Sequence, residues 1–116
     1  MTSLGIDENI EAALAYLFGI VSGIAVLIFE KNSRFVRFHA AQSIMLFLGY
    51  LILKVLVSIS LLPFFLIPGA GVWLAAVIDR LVNALFLVAW VVCMVKALMG
   101  DLFRLPVLGD IAEKIV

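Results

Sequence analysis

The sequence predicts an all-α protein: an integral membrane bundle of about three transmembrane helices with a short interfacial C-terminal segment. Of the 116 residues, 66% are hydrophobic and 14% are charged, whereas soluble domains carry about 25% charged residues. The mean hydropathy is +1.30, and so short a chain cannot bury this much apolar surface in a water-soluble core. Because the apolar residues form three runs, each long enough to cross a bilayer, residues 1–116 are predicted to be one membrane domain.

The first apolar run covers about residues 10–29 and is predicted to cross the membrane as one helix. The first eleven residues of the chain contain three acidic side chains and no lysine or arginine. A secretory signal begins with positive charge, so we expect the run to stay in place as an anchor. Small residues repeat along it at Ala15, Gly19 and Gly23, a spacing that lets two helices approach closely. Their partner is expected to be the later helices of the same chain or another copy.

Two longer runs, about residues 38–62 and 72–98, are predicted to form an antiparallel helical hairpin. The segment between them, 63–71, contains two prolines and two glycines, which mark a turn. A membrane crossing needs about 20 helical residues, so each run supplies one helix and neither is long enough for two. The tail, residues 100–116, is more polar and is predicted to end in a short interfacial helix.

The distribution of lysine and arginine predicts the orientation of the chain. Six of the eight basic residues lie in the first loop or at the C-terminal end, and none lies in the N-terminal tail or the second loop. Loops rich in lysine and arginine stay in the cytoplasm. The expected location is therefore the cell membrane, multi-pass, with the N-terminus outside and the C-terminus cytoplasmic. The six residues are Lys31, Arg34, Arg37, Lys96, Arg104 and Lys114.

Charged residues within the two long runs are expected to be paired, because ionisable groups in hydrocarbon cost several kcal/mol unless they are paired or hydrated. Lys54 and Asp79 lie at matched depth, each about 12 Å from the predicted turn at 1.5 Å per residue. Tyr50 and Asn83 match one helical turn deeper. We predict a polar ladder of these four residues, which either holds the helices together or lines a hydrated path. Arg80 is expected to point to a different face, towards the interface, another helix or another subunit.

Catalytic and metal-binding patterns are not evident in the sequence. His39, Gln42 and Ser43 share one face of the second helix, where a histidine either relays protons or, more commonly, hydrogen-bonds neighbouring groups. No second histidine or cysteine stands at metal-ligand spacing, and the single cysteine, Cys93, lies in an apolar run. We predict no enzyme activity, no catalytic residue, no cofactor and no metal. The chain also lacks the basic patch typical of nucleic-acid binding.

Two sequence blocks resemble a known superfamily of small membrane proteins. The blocks are RFVRFHAAQS at residues 34–43 and KALMGDLFRLPVLGDIAEKIV at residues 96–116. The superfamily includes bacterial and archaeal proteins of unknown function, the magnetosome MamF-like proteins and the Tic-twenty family of the chloroplast inner-envelope import machinery. The resemblance implies a compact helical membrane protein and a role in a translocation complex or a membrane-organising system. The positions that match the shared block are Arg37, Phe38, His39 and Gln42.

The residues of the first block also predict a contact between distant parts of the chain. His39 and Gln42 can hydrogen-bond a folded-back tail near Arg104 and Asp110, which would tie the first cytoplasmic loop to the C-terminal segment. The expected function is a structural or interaction module in a membrane complex, and the expected partners are the bilayer and either further copies of the chain or other proteins of the complex. The alternative is an oligomeric channel or a translocator subunit, since three helices cannot enclose a pore alone.

Overall fold

The computed structural model describes residues 5–105 and 107–116, and these residues form helices and turns without strands. Two helical stretches, Arg34–Leu66 and Ala70–Leu98, are long and apolar enough to cross a membrane, and Ile20–Phe29 is a shorter apolar helix. The predicted class, a small helical membrane bundle, is confirmed. The elements are α1 (Glu8–Leu17), α2 (Ile20–Phe29), α3 (Arg34–Leu61), a 3-10 turn (Leu62–Leu66), α4 (Ala70–Leu98) and α5 (Leu108–Ile115).

The first apolar run is two helices rather than the single helix predicted for residues 10–29. The break falls at Gly19, whose φ of 66° is a conformation that favours glycine. Carbonyl groups released by the break find new donors, as an apolar setting requires. Ser22 Oγ donates to the Ala15 carbonyl at 2.8 Å, and Trp90 Nε1 donates to the Tyr16 carbonyl at 2.6 Å. The break is therefore stabilised by side chains from its own turn and from α4.

Helices α1 and α2 fold back on each other and form a short helical hairpin. At the open end of this hairpin, Ser33 Oγ donates to the Glu8 carboxylate at 2.6 Å, so the start of α1 meets the residue that precedes α3. At its tip, Ser43 Oγ donates to the Gly19 carbonyl at 3.2 Å, ten residues further along α3. Helix α1 thus runs beside α3 from the level of Ser33 to that of Ser43, and α2 runs back to the level at which α1 begins.

The described start of the chain and its tail consequently lie at the same end of the molecule. Asn9 packs beside Gly100, where a Cβ would lie 3.2 Å from the Asn9 side-chain amide. The prediction that the two termini lie on opposite sides rested on a single crossing by residues 10–29. The turn at Gly19 reverses the chain instead, so the loop at residues 30–33 and the tail share one end with α1.

The two long helices form the predicted antiparallel hairpin. Ser33 caps α3, its Oγ accepting a hydrogen bond from the Val36 amide at 3.2 Å. Helix α3 has 28 residues and α4 has 29. They are joined by the Pro63-containing 3-10 turn and by Gly69, which has a φ of 78°. The predicted turn at residues 63–71 therefore lies where the structure reverses direction.

Among the described residues, the packed core lies at one end of the molecule. The α1–α2 hairpin covers α3 up to about Phe47, and Leu108 of α5 lies beside Gly49. Closer to the turn, the long helices have no other described helix beside them. Between residues 48 and 88, only Leu61 and Gly71 are buried. We call residues 48–88 the open hairpin and the packed remainder the closed end. The core of the closed end includes Ala12, Ala15, Tyr16, Val36, Ala40, Cys93 and Ala97.

Replacing Gly19 with alanine should destabilise the protein by about 3 kcal/mol, because the positive φ would become strained and the new methyl group would be overpacked. A Cβ at Gly19 would lie 2.9 Å from the ring of Phe47. Gly69→Ala is a matched control, since Gly69 also has a positive φ but no atom within 4 Å of an added Cβ. We expect its loss to be about 1 kcal/mol. Thermal unfolding in mild detergent measures both, and equal losses would show that the Gly19–Phe47 contact is unimportant.

Candidate functional site

Gln42 is the centre of a buried hydrogen-bond network at the closed end. Its Nε2 donates to the Tyr16 hydroxyl at 2.9 Å and to the Phe103 carbonyl at 2.8 Å. Its Oε1 accepts from the Leu105 amide at 3.0 Å. The side chain is fully buried, and it uses both amide hydrogens and its oxygen. Gln42 therefore joins three separate segments of the chain, α1, α3 and the tail.

His39 adds a second link to the tail. Its Nε2 lies 2.9 Å from the Asp101 carbonyl, which can only accept, so Nε2 carries the hydrogen. In the neutral tautomer, Nδ1 then accepts from the Tyr16 hydroxyl at 2.8 Å. The ring also makes edge contacts with Phe35 and Phe38. Both ring nitrogens are engaged in fixed bonds within a buried site, an arrangement typical of a structural histidine rather than a proton relay.

We call these contacts the tail latch: the side chains of His39, Gln42 and Tyr16 together with the backbone of residues 101–105. From the sequence, His39 and Gln42 were expected to bind the tail near Arg104 and Asp110. The structure brings both side chains to the tail, but through the backbone of residues 101, 103 and 105. Tyr16 is a further member of the latch that was not predicted from the sequence. The available signal was a hydroxyl in an apolar run, since a buried tyrosine usually has a hydrogen-bond partner.

The other residues of the first sequence block also serve the closed end. Arg37 Nη1 donates to the Leu27 and Glu30 carbonyls, both at 2.7 Å, and so caps the end of α2. Phe38 is 3% exposed and packs with Ala112 of α5. All four matching positions, Arg37, Phe38, His39 and Gln42, therefore hold elements of one chain together.

An ion pair between Arg104 and Glu113 holds the tail helix α5 against the preceding residues of the tail. The Arg104 guanidinium donates a hydrogen bond to Glu113 and holds the pKa of that carboxyl below its usual value. Gly109 lets α5 approach the latch, because a Cβ there would lie 3.0 Å from Gln42 Oε1. The glycine of the tail block thus has a packing role beside the latch.

The four polar residues of the open hairpin form one network between α3 and α4. Lys54 Nζ pairs with Asp79 Oδ1 and lies 3.2 Å from Asn83 Oδ1. The Tyr50 hydroxyl donates to Asn83 Oδ1 at 2.5 Å, and Asn83 Nδ2 donates to Asp79 Oδ2 at 3.1 Å. The structure therefore places together the two pairs that the sequence matched by depth. The ladder is not enclosed, since the side chains of Lys54 and Asp79 are 31% and 51% exposed.

Arg80 lies outside this network. It is exposed on α4, and among residues 5–105 and 107–116 its guanidinium makes no hydrogen bond or ion pair. Successive residues on an α-helix point about 100° apart, so Arg80 faces away from the Lys54 side of α4. The structure thus keeps Arg80 separate from the ladder, as the sequence predicted.

The repeated small residues pack within the chain. Ala15 is fully buried in the core. A Cβ at Gly23 would lie 2.9 Å from the Ile44 side chain and 3.0 Å from the Ala40 carbonyl, and one at Gly19 would meet Phe47. Of the two partners considered for this stripe, α3 of the same chain is the one in contact.

Within the part of the chain that the structure describes, no group of three or more histidine, cysteine, aspartate or glutamate side chains is placed to hold a metal ion. Cys93 is buried, with its Sγ 3.9 Å from Gln42 Nε2. The buried polar side chains of the tail latch thus bond to one another and to the backbone of the tail. This arrangement supports tight packing, whereas the ladder is partly exposed on the open hairpin.

Comparison with known proteins gives a family and several relatives. Residues 7–112 match the model of a family described as the magnetosome magnetite crystal formation protein family. A UPF0132 membrane protein of Methanocaldococcus jannaschii is 49% identical over 113 residues, covering 97% of this chain and 92% of that protein. One from Archaeoglobus fulgidus is 41% identical over 107 residues, covering 92% and 93%. The match confirms the resemblance to MamF-like proteins, and no solved structure matches the chain.

Proposed function

Because the chain belongs to the magnetosome magnetite crystal formation protein family, and its relatives are named membrane proteins, we propose that it is a non-enzymatic structural module of a membrane complex. In this proposal the closed end fixes the fold, and the open hairpin binds other membrane helices. The observation that carries the proposal is the partial or full exposure of Lys54, Asp79 and Arg80, the three charged residues of the open hairpin.

The length of the hairpin formed by α3 and α4 supports the proposal that it binds other membrane helices. The stretch Arg34–Leu66 has 33 residues, or about 50 Å at 1.5 Å per residue, whereas the hydrocarbon core is about 30 Å thick. The structure as a whole extends 59 Å along its longest axis. If the bilayer covers the turn, the charges lie deep in hydrocarbon. If it stops at the charges, the apolar turn, in which Leu66 is 86% exposed, meets water.

Both placements leave a surface that another protein would cover favourably. Charged side chains in a membrane are costly and face protein or a hydrated cavity. A contiguous apolar surface in water marks an interaction site. A partner helix alongside α3 and α4 would relieve either cost, because it would shield the ladder and cover the apolar turn together.

We also propose a revised topology in which α3 and α4 cross the membrane, α1 and α2 form a re-entrant hairpin, and both termini are cytoplasmic. Two features support this topology. The described start of the chain and the tail share one end of the molecule. That end also carries the six basic residues that lie outside the open hairpin, a bias expected on the cytoplasmic side.

Fusion reporters test this topology. A fluorescent protein that matures only in the cytoplasm should fluoresce when fused to the N-terminus and also when fused to the C-terminus. The C-terminal fusion is the control, since the single-crossing interpretation of residues 10–29 also places that end inside. A dark N-terminal fusion that is labelled at the outer surface would contradict the re-entrant hairpin.

Photo-crosslinking in intact cells tests the proposed function. A photoreactive amino acid at Val88, which is 59% exposed on the open hairpin, should give a protein adduct of one defined mass. The same group at Phe29, 63% exposed on α2, is the matched control and should give mainly lipid adducts. Lipid adducts alone at Val88 and at other positions of the open hairpin would refute an interaction module.

An oligomeric channel or translocator subunit is the second candidate, and the polar ladder is the observation that favours it. The groove beside the ladder, about 490 Å³ in volume, weighs against it, because Leu46, Leu53, Leu85 and Phe86 line it and make it a site for lipid tails rather than water. Ion flux through liposomes containing the purified protein separates the two functions. Flux that disappears on replacing Asp79 would favour the channel, and absence of flux favours the structural module.

A further inference from the structure

We propose that the partner of the open hairpin is a second copy of the same chain, packed in parallel with α4 against α4, so that Arg80 of each copy pairs with Asp79 of the other. This inference rests on the proposed function and specifies its partner.

Charge complementarity carries the inference. Arg80 is an exposed cation with five donors, and its neighbour Asp79 is a half-exposed anion. Each oxygen of Asp79 accepts one recorded hydrogen bond, from Lys54 and from Asn83 respectively, so further lone pairs remain available on its exposed side. Residues i and i+1 do not face each other on a helix, so Arg80 is poorly placed to pair with Asp79 of its own chain.

The sequence limits the acidic residues that can pair with Arg80. Asp79 is the only acidic residue between residues 38 and 98, so at this depth a second copy offers one carboxylate and offers it at the right level. Copies inserted in the same direction place equal residues at equal depth. A two-fold axis along the membrane normal then makes both Arg80–Asp79 contacts at once, because a two-fold interface is self-complementary.

The shape of α4 permits this approach. Ala76 and Ala84 lie one helical turn on either side of Arg80, and both are exposed. Short side chains at these positions allow two helix backbones to come close enough for a guanidinium to reach the neighbouring carboxylate. Towards the closed end the same face continues with apolar side chains such as Val88 and Val91, 59% and 45% exposed, which would pack against their own copies.

Cysteine crosslinking in membranes tests the interface. In a Cys93→Ala background, Ala84→Cys should form disulfide-linked dimers under mild oxidation. Ile52→Cys is the matched control, because Ile52 lies at a similar depth on α3 and is 57% exposed. Adding Arg80→Gln to Ala84→Cys should reduce dimer yield at a fixed protein-to-lipid ratio about tenfold, since two charge-assisted contacts are lost. Arg80→Lys should retain part of the yield.

Three outcomes overturn the inference: equal crosslinking at Ile52 and Ala84, dimer yield unaffected by Arg80→Gln, or a monomer at every lipid dilution. The Val88 photo-crosslink separates this failure from failure of the proposed function. A defined adduct with a different protein would refute the second copy and keep the structural module. Lipid adducts alone, together with absence of Ala84 dimers, would refute both.

Discussion

Replacing Gln42 with alanine should lower the free energy of unfolding by about 3 kcal/mol and release the tail. The substitution leaves the Leu105 amide and the Phe103 carbonyl without their buried partner, and each unsatisfied buried group costs about 1–3 kcal/mol. Thermal unfolding in mild detergent measures the loss. Limited proteolysis should show faster cleavage in residues 101–116, because the tail loses two of its hydrogen bonds to α3.

Ser58→Ala serves as the control for this prediction. Ser58 lies on the same helix, is exposed, and donates only to the Lys54 carbonyl one turn earlier, at 2.8 Å. Its loss should change stability by less than about 0.5 kcal/mol and leave tail cleavage unchanged. If Gln42→Ala behaved like Ser58→Ala, the tail latch would not contribute to the stability of the fold.

The Lys54–Asp79 pair should show strong coupling in a double-mutant cycle. Lys54→Met or Asp79→Leu alone should lower the melting temperature more than both together, because each single change leaves a charge in the membrane without its partner. The double variant removes both charges and adds apolar surface that suits hydrocarbon. We expect its melting temperature to recover above that of either single variant.

Additive losses in this cycle would refute the pairing, because residues without mutual interaction have additive effects. Leu51→Met and Leu87→Met form a parallel cycle of exposed apolar positions on the same two helices. These two changes conserve size and should be additive. Measurements in nanodiscs of fixed lipid composition keep the surroundings of the four variants equal.

The polar ladder could be predicted because it depends on regular geometry. Two helices joined by a short turn place residues at equal distance from that turn at equal depth, so the positions of Lys54 and Asp79 determined their pairing. Because an unpaired charge in hydrocarbon is costly, the two side chains were expected to pair. The same reasoning explains why Arg80, one residue further, was expected on a different face.

The break at Gly19 could not be predicted, since a glycine in an uncharged apolar run is common in membrane helices that continue through it. What favours the break is tertiary: Trp90 and Ser43 supply donors to the Tyr16 and Gly19 carbonyls. These donors lie 74 and 24 residues away in the sequence. The topology predicted from the basic residues depended on an uninterrupted first helix. The turn at Gly19 therefore changes the side on which the N-terminus is expected.

The tail latch was predictable in part. Polar side chains entering an apolar run need partners, which pointed to the tail for His39 and Gln42. Their partners are backbone groups of residues 101–105, and the backbone carries no sequence signal. Tyr16 was missed because the helix that presents it was placed as a membrane crossing, where a lone hydroxyl has several potential partners.

The wide sequence separation of the contacts around Tyr16 also constrains the order of assembly. The ribosome makes α1 before α3 and α4, but Tyr16 needs His39 and Gln42 from α3 and Trp90 from α4, and the tail follows these helices in the chain. Until α4 has entered the membrane, the broken backbone near Gly19 lacks the Trp90 donor. Helix α1 is therefore synthesised well before it can reach its final form, and a translation pause before residue 90 would prolong its exposure to chaperones and proteases.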